Sequence, residues 1–183
     1  MTIKHYMAIA VLALGAAAAS AGELTAEYRW GDNGNQYKGE FSEKVATRFG
    51  TVAVAGELES KQSYNDGKLD TIISGTVGYP VALPYGVTAQ PFVQIGEKLN
   101  SKANQSNFIG EGVKLSRTIL GPVSGEVAYR HRGSYSNADL SENRLAASVK
   151  YTVNKSHAVG VVVYNYSGQL VDHRYGLFYK YSL

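Results

Sequence analysis

The chain has 183 residues, with 18 bases against 15 acids for a net charge of +3, and no cysteine. That length suits one domain, and the near-balance of charge is unlike the concentrated basic excess of a nucleic-acid binder. Without cysteine, disulfides and thiolate metal sites are excluded. Residues 1–21 have the layout of a signal peptide: Lys4 and His5, an apolar run from Met7 to Ala19, then Ala19-Ser20-Ala21 before Gly22. The run is too short to cross a bilayer as a helix, so the expectation is export. The mature domain is then 22–183, about 162 residues, with a charge of about +2 because Lys4 is the only charge lost.

Tyrosine (14) and glycine (20) are abundant, helix signals are nearly absent, and no later stretch approaches the length of a membrane helix. Lipid admits only helices and closed barrels, since an open sheet edge leaves backbone groups unsatisfied. Alternating strands with an export address therefore predict an all-β fold, a closed antiparallel transmembrane barrel of the outer membrane.

In chain order, LTAEYRW (24–30) sets Leu24, Ala26, Tyr28 and Trp30 on one face and Thr25, Glu27 and Arg29 on the other. GDNGNQ reads as a turn. YKGEF points Lys38 and Glu40 inward, and its phase breaks at Glu43, which predicts a bulge or an early end there. TVAVAGELES (51–60) places Val52, Val54 and Leu58 outward and Glu57 and Glu59 inward; KQSYNDGK is a loop. LDTIISGTVGY (69–79) follows, with Asp70 inward, and PVALPYG reverses the chain. VTAQPFVQIG (87–96) alternates but contains Pro91. EKLNSKANQSN (97–107) is the longest polar loop.

FIGEGVKLSR (108–117) carries Glu111 on the phase of Ile109 and Val113. EVAYRHRG (126–133) points Val127 and Tyr129 outward and Arg130 and Arg132 inward. After SYSNADLSEN, RLAASVKYTV (144–153) puts Leu145, Ala147, Val149, Tyr151 and Val153 outward and Arg144 and Lys150 inward. AVGVVVYNY (158–166) is apolar on both faces. The last strand, Val171 to Leu183, carries Arg174 and Lys180 on its inner phase. The count is ten strands, with eight as the alternative if the segments around Glu43 and Pro91 do not pair. An even count puts both termini on one side.

The ending YGLFYKYSL alternates Tyr175, Leu177, Tyr179, Tyr181 and Leu183 on one face. It resembles the outer-membrane β-signal, a closing strand of alternating apolar residues ending on a hydrophobe, with Leu in place of the commoner Phe. That resemblance implies recognition by the barrel-assembly machinery. EYRW and SVKYTVNKSHAVGVVVYNY are similar to segments of KdgM-like and other small porins, which implies passage of small polar solutes.

The inward set divides by strand. Glu27, Glu40, Glu57, Glu59 and Asp70 dominate the first four strands; Arg130, Arg132, Arg144, Lys150, Arg174 and Lys180 dominate the last four. Two opposed walls would make a transverse field that orients polar solutes. The same groups could instead pair across the lumen and plug it, because strand number alone leaves both outcomes open. A non-conducting structural or surface-interaction barrel is therefore the alternative function.

An outer-membrane enzyme, of lipid A deacylase or omptin type, is the distant third reading, and geometry weighs against both forms. RHRGSYSNA resembles the H-x-S-N segment of lipid A deacylases, yet Ser134 stands two before Ser136, and His131 and Ser136 fall on opposite phases. Asp172 and His173 resemble the acid and base of omptin proteases, but adjacent strand residues point to opposite faces. The histidines have no metal-ligand spacing, and no cofactor is expected. Outer-membrane lipid is the expected partner.

Overall fold

The computed structural model describes residues 22–64, 67, 69–99, 105–134, 141–168 and 171–183. The strands in chain order are β1 (Glu23–Gly31), β2 (Gly34–Thr47), β3 (Gly50–Ser63), β4 (Leu69–Gly78) and β5 (Val81–Ala82). After a 3-10 turn at Pro84–Gly86 come β6 (Val87–Leu99), β7 (Gln105–Leu120), β8 (Val123–Ser134), β9 (Glu142–Thr152), β10 (His157–Gly168) and β11 (Asp172–Ser182). The signal-peptide residues 1–21, and Ser136 and Asn137 of the deacylase comparison, lie outside the described residues.

Each long strand pairs antiparallel with the next, β4 passes over the two-residue β5 to pair with β6, and β1 pairs with β11. Register runs from Glu23 opposite Ser182 to Gly31 opposite Arg174. Ten long strands therefore close on themselves, and the last strand is no edge. β5 only folds back on β6, through Val81 opposite Ala89 and Ala82 opposite Thr88.

Both weak segments pair, each for a local reason. β2 begins at Gly34, whose φ of 140° suits glycine after the two-residue turn Asp32-Asn33. It then continues through Glu43 opposite Val54 to Thr47 opposite Gly50, so the expected bulge is absent. Glu43 lies on the outward phase near the β2–β3 turn, where a carboxylate reaches the water interface; the hydropathy pattern breaks there while the ladder does not. Pro91 sits just past the end of β4, and its carbonyl accepts from the N–H of Tyr79 at 3.0 Å. A strand residue's N–H and C=O point the same way, so the missing donor falls at that frayed end. The register slips at one place, between Thr118 and Leu120 of β7.

Three expected loops are shorter than their polar sequences imply. Lys61–Ser63 belong to β3, Glu97–Leu99 to β6, Gln105–Asn107 to β7, and Glu142 and Asn143 to β9. Polar composition there marks strand ends that project past the apolar band.

Burial is inverted relative to a water-soluble sheet. Ile73, Val93, Ile95, Ile109, Val127, Leu145, Val149, Val161 and Leu177 are exposed on the outer face, while Glu27, Arg29, Glu59, Gln94, Arg130 and Arg174 are buried inside. An apolar exterior of this extent is the face a barrel turns to lipid. Aromatic rings gather at both rims. Tyr28, Trp30, Tyr37 and Tyr175 lie ring to ring near the β1–β2 turn, and His157, Tyr179 and Tyr181 near the termini. Tyr28 and Tyr64 both donate to Asn35 Oδ1, at 3.1 and 2.6 Å.

Candidate functional site in the barrel lumen

Arg29 on β1 is the centre of the lumen and is 0% exposed. Its Nε and Nη2 donate to Glu27 at 2.7 and 2.9 Å, and Nη1 donates to Glu59 at 3.0 Å and to Gln36 at 3.2 Å. Gln36 also donates to Glu59 at 2.9 Å and accepts from Arg174 at 2.6 Å. Arg174 in turn grips Asp172, its neighbour two along the same strand face, which is also 0% exposed. From β10, the Tyr164 hydroxyl donates to Glu27 at 2.7 Å, and its ring lies 4.3 Å from the Arg29 guanidinium carbon. Side chains of β1, β2, β3, β10 and β11 thus meet at one level and fill it.

The opposite side of that level is arginine-rich. Arg130 donates to Glu142 at 2.9 Å and to Gln94 at 3.4 Å; Arg132 donates to Gln94 at 3.1 Å and lies over the Phe108 ring at 4.1 Å. Arg144 stands 3.8 Å from Glu59 and faces the Tyr164 ring at 5.2 Å. Gln94 is held by its own donation to Ser74 at 2.9 Å. Arg130 Nε, Arg132 Nε and Arg144 Nη1 are buried without a hydrogen-bond partner.

Below this level, toward the termini, the lumen opens into a vestibule of about 890 Å³. Glu40, Glu57, Lys150, Lys180, Arg144 and Tyr164 are among the residues that line it. Lys38 joins Glu40 at 2.5 Å and Glu57 at 2.8 Å, and Lys180 joins Glu23 at 2.7 Å at the mouth. Asp70 lies near the opposite rim, half-buried, 3.0 Å from Lys98. Tyr175, Leu177, Tyr179 and Tyr181 face outward on β11, and the Leu183 N–H donates to the Gly22 carbonyl at 3.0 Å.

Charges predicted to form two walls therefore interlock. Arg29 stands among the acids, Asp172 and Glu142 among the bases, and Glu59 reaches Arg144 across the lumen. Asp172 and His173 point to opposite faces, Asp172 inward and His173 outward, so they form no catalytic pair. Among the described residues no group of three His, Cys, Asp or Glu side chains could hold a metal.

No protein-family model matches the chain, and no curated protein matches it. Solved structures do. The KdgM porin in complex with disordered oligogalacturonate is 13% identical, with 88% of this chain and 99% of that chain covered and a TM-score of 0.56. The KdgM porin alone is 12% identical over the same shares, with a TM-score of 0.53. The chain has the fold of the KdgM porins. The beta domain of the Bordetella autotransporter Brka is 12% identical, with 88% and 98% covered and a TM-score of 0.50. One barrel thus serves proteins with different names, and function must come from the lumen.

Within this KdgM-type barrel, several residues of the buried network are not marked by the sequence pattern. Glu142 falls in a polar stretch that reads as loop, and Asp172 stands at the start of the last strand beside His173. Gln36 and Gln94 are neutral, so charge patterning does not single them out. Tyr164 and Tyr166 sit in a strand that reads as apolar on both faces; inside, they pack with Val162 and Ala146. Continuing the inward phase to the strand ends would have reached Glu142 and Asp172.

Proposed function

We propose that this protein is an outer-membrane barrel of the porin type whose lumen is a vestibule open at the end bearing the termini and closed above by a charged plug. Loosening the plug admits small polar solutes, with anions preferred. The observation that carries the closed state is the complete burial of Arg29 and Asp172 within a layer that reaches from β1 to Gln94 on β6. Anion preference is supported by three buried arginine nitrogens without a hydrogen-bond partner, those of Arg130 and Arg144, which line the vestibule, and that of Arg132, and agrees with the acidic sugar named for the KdgM complex. The export signal, the apolar outer face and the short turns beside the termini support placement in an outer membrane with that end periplasmic. The outward Tyr175, Leu177, Tyr179, Tyr181 and Leu183 would be the face read by the assembly machinery.

A second reading, a non-conducting structural or surface-interaction barrel, is favoured by the same closure. Planar-bilayer recording separates the two. The wild type should be nearly silent, and Arg29→Ser/Glu59→Ser, which removes one charge of each sign, should give discrete openings. Large openings in the wild type would refute the closed plug. Silence of the folded double variant would leave the structural reading standing.

A further inference from the structure

The outer face between β7 and β10 carries a groove of about 590 Å³ lined by Leu115, Arg117, Ile119, Gly125, Ala147 and Val149, among others. Small residues make the depression: Gly125 lies opposite Arg117 and Val149, and Ala147 opposite Val127 and Val163. The register slip at Thr118–Leu120 leaves Ile119 as the extra residue of β7. A bulge of this kind re-aims a side chain, and Ile119 leans over Gly125, whose missing Cβ would lie 3.0 Å from Ile119 Cδ1. The walls are aliphatic, as suits a hydrocarbon chain and not a polar ligand.

Arg117 stands out within this groove. Every other lysine or arginine of the described strands lies on the inward phase; Arg117 alone points outward. Its cross-strand neighbours are Val87 and Gly125, and among the described residues its side chain has no hydrogen-bond or ion-pair partner. It precedes the strand end at Leu120 by three residues, about 10 Å along the strand, on the side of the terminus-bearing rim. An arginine on the lipid face is costly at the bilayer midplane and nearly free near the interface, and guanidinium matches phosphate in both charge and geometry.

We propose that this groove binds one phospholipid of the leaflet at the terminus-bearing end, with an acyl chain along Leu115, Ala147 and Val149 and the phosphate on Arg117. The aliphatic trough and the single outward cation recognise the two halves of one molecule, which neither a free anion nor a bare hydrocarbon satisfies.

Native mass spectrometry of the full barrel released from detergent, titrated with dioleoyl-phosphatidylglycerol, tests this. One lipid should persist on the wild type under activation that strips the rest. Arg117→Gln should bind about tenfold more weakly, the loss expected of one charge-assisted hydrogen bond. Ala147→Phe, which fills the trough with an apolar side chain compatible with a lipid-facing site, should weaken binding comparably. Val93→Phe, outside the groove, should not. Heat-modifiable migration confirms that each variant is folded. Unchanged retention in Arg117→Gln or in Ala147→Phe, or displacement of the lipid by millimolar inorganic phosphate alone, would overturn the proposal.

Discussion

Replacing Arg29 by methionine keeps an unbranched stem as long as the arginine's methylene chain and removes the guanidinium with its charge. Four hydrogen bonds are lost, two to Glu27 and one each to Glu59 and Gln36. Glu59 keeps the Gln36 amide, with Arg144 at 3.8 Å, and Glu27 keeps the Tyr164 hydroxyl, so neither carboxylate is wholly abandoned. Both nevertheless stay buried without their principal cation, and breaking a buried pair from one side costs about 3–5 kcal/mol. If that cost comes from stranded carboxylates and not from lost packing, Arg29→Met/Glu27→Gln/Glu59→Gln should recover most of it. Neutral groups of similar size then fill the same space. Equilibrium urea unfolding in lipid vesicles measures both variants. Trp30, the single tryptophan, sits on the neighbouring position of β1 and reports the transition. A single-variant cost below about 0.5 kcal/mol, the scale of a surface substitution, would mean that water reaches Arg29 and that the plug is open.

On β9, Val149 faces outward and Ser148 inward; Val149→Arg should cost about 2–4 kcal/mol in the same unfolding assay if it lies at the bilayer midplane, and Ser148→Arg far less. Removing Tyr181-Ser182-Leu183 deletes the pairs Leu24–Tyr181 and Glu23–Ser182 that begin closure. The folded, heat-modifiable fraction in membranes should fall, and normal assembly would dismiss this strand as a signal. Arg130, Arg132 and Arg144 crowd one side of the plug. Their joint replacement by glutamine, made in the Arg29→Ser/Glu59→Ser background, should move the reversal potential under a salt gradient toward cation preference; no movement would place them away from the ion path.

Period-2 alternation is a covalent fact of extended backbone, and with an apolar outward phase it points to a closed membrane barrel of ten strands, with eight as the alternative, and to the face on which most of its strand charges lie. Glu27, Glu57, Glu59, Arg130 and Arg174 could be placed inward from local pattern alone, because burial of a strand residue depends on its phase and on nothing distant. Cross-lumen partners could not be read this way. Whether Glu59 meets Arg29 and Arg144, or Gln36 meets Arg174 from 138 residues away, depends on the register of every ladder around the ring. The stagger accumulates strand by strand until β1 meets β11. The inward face of Glu142 and Asp172 follows from the phase of Arg144 and Arg174 once each strand is carried past the apolar band; their place in the buried network follows only from closure. The inward charges are local; their interlocking across the lumen instead of a division into two opposed walls is a property of the closed barrel.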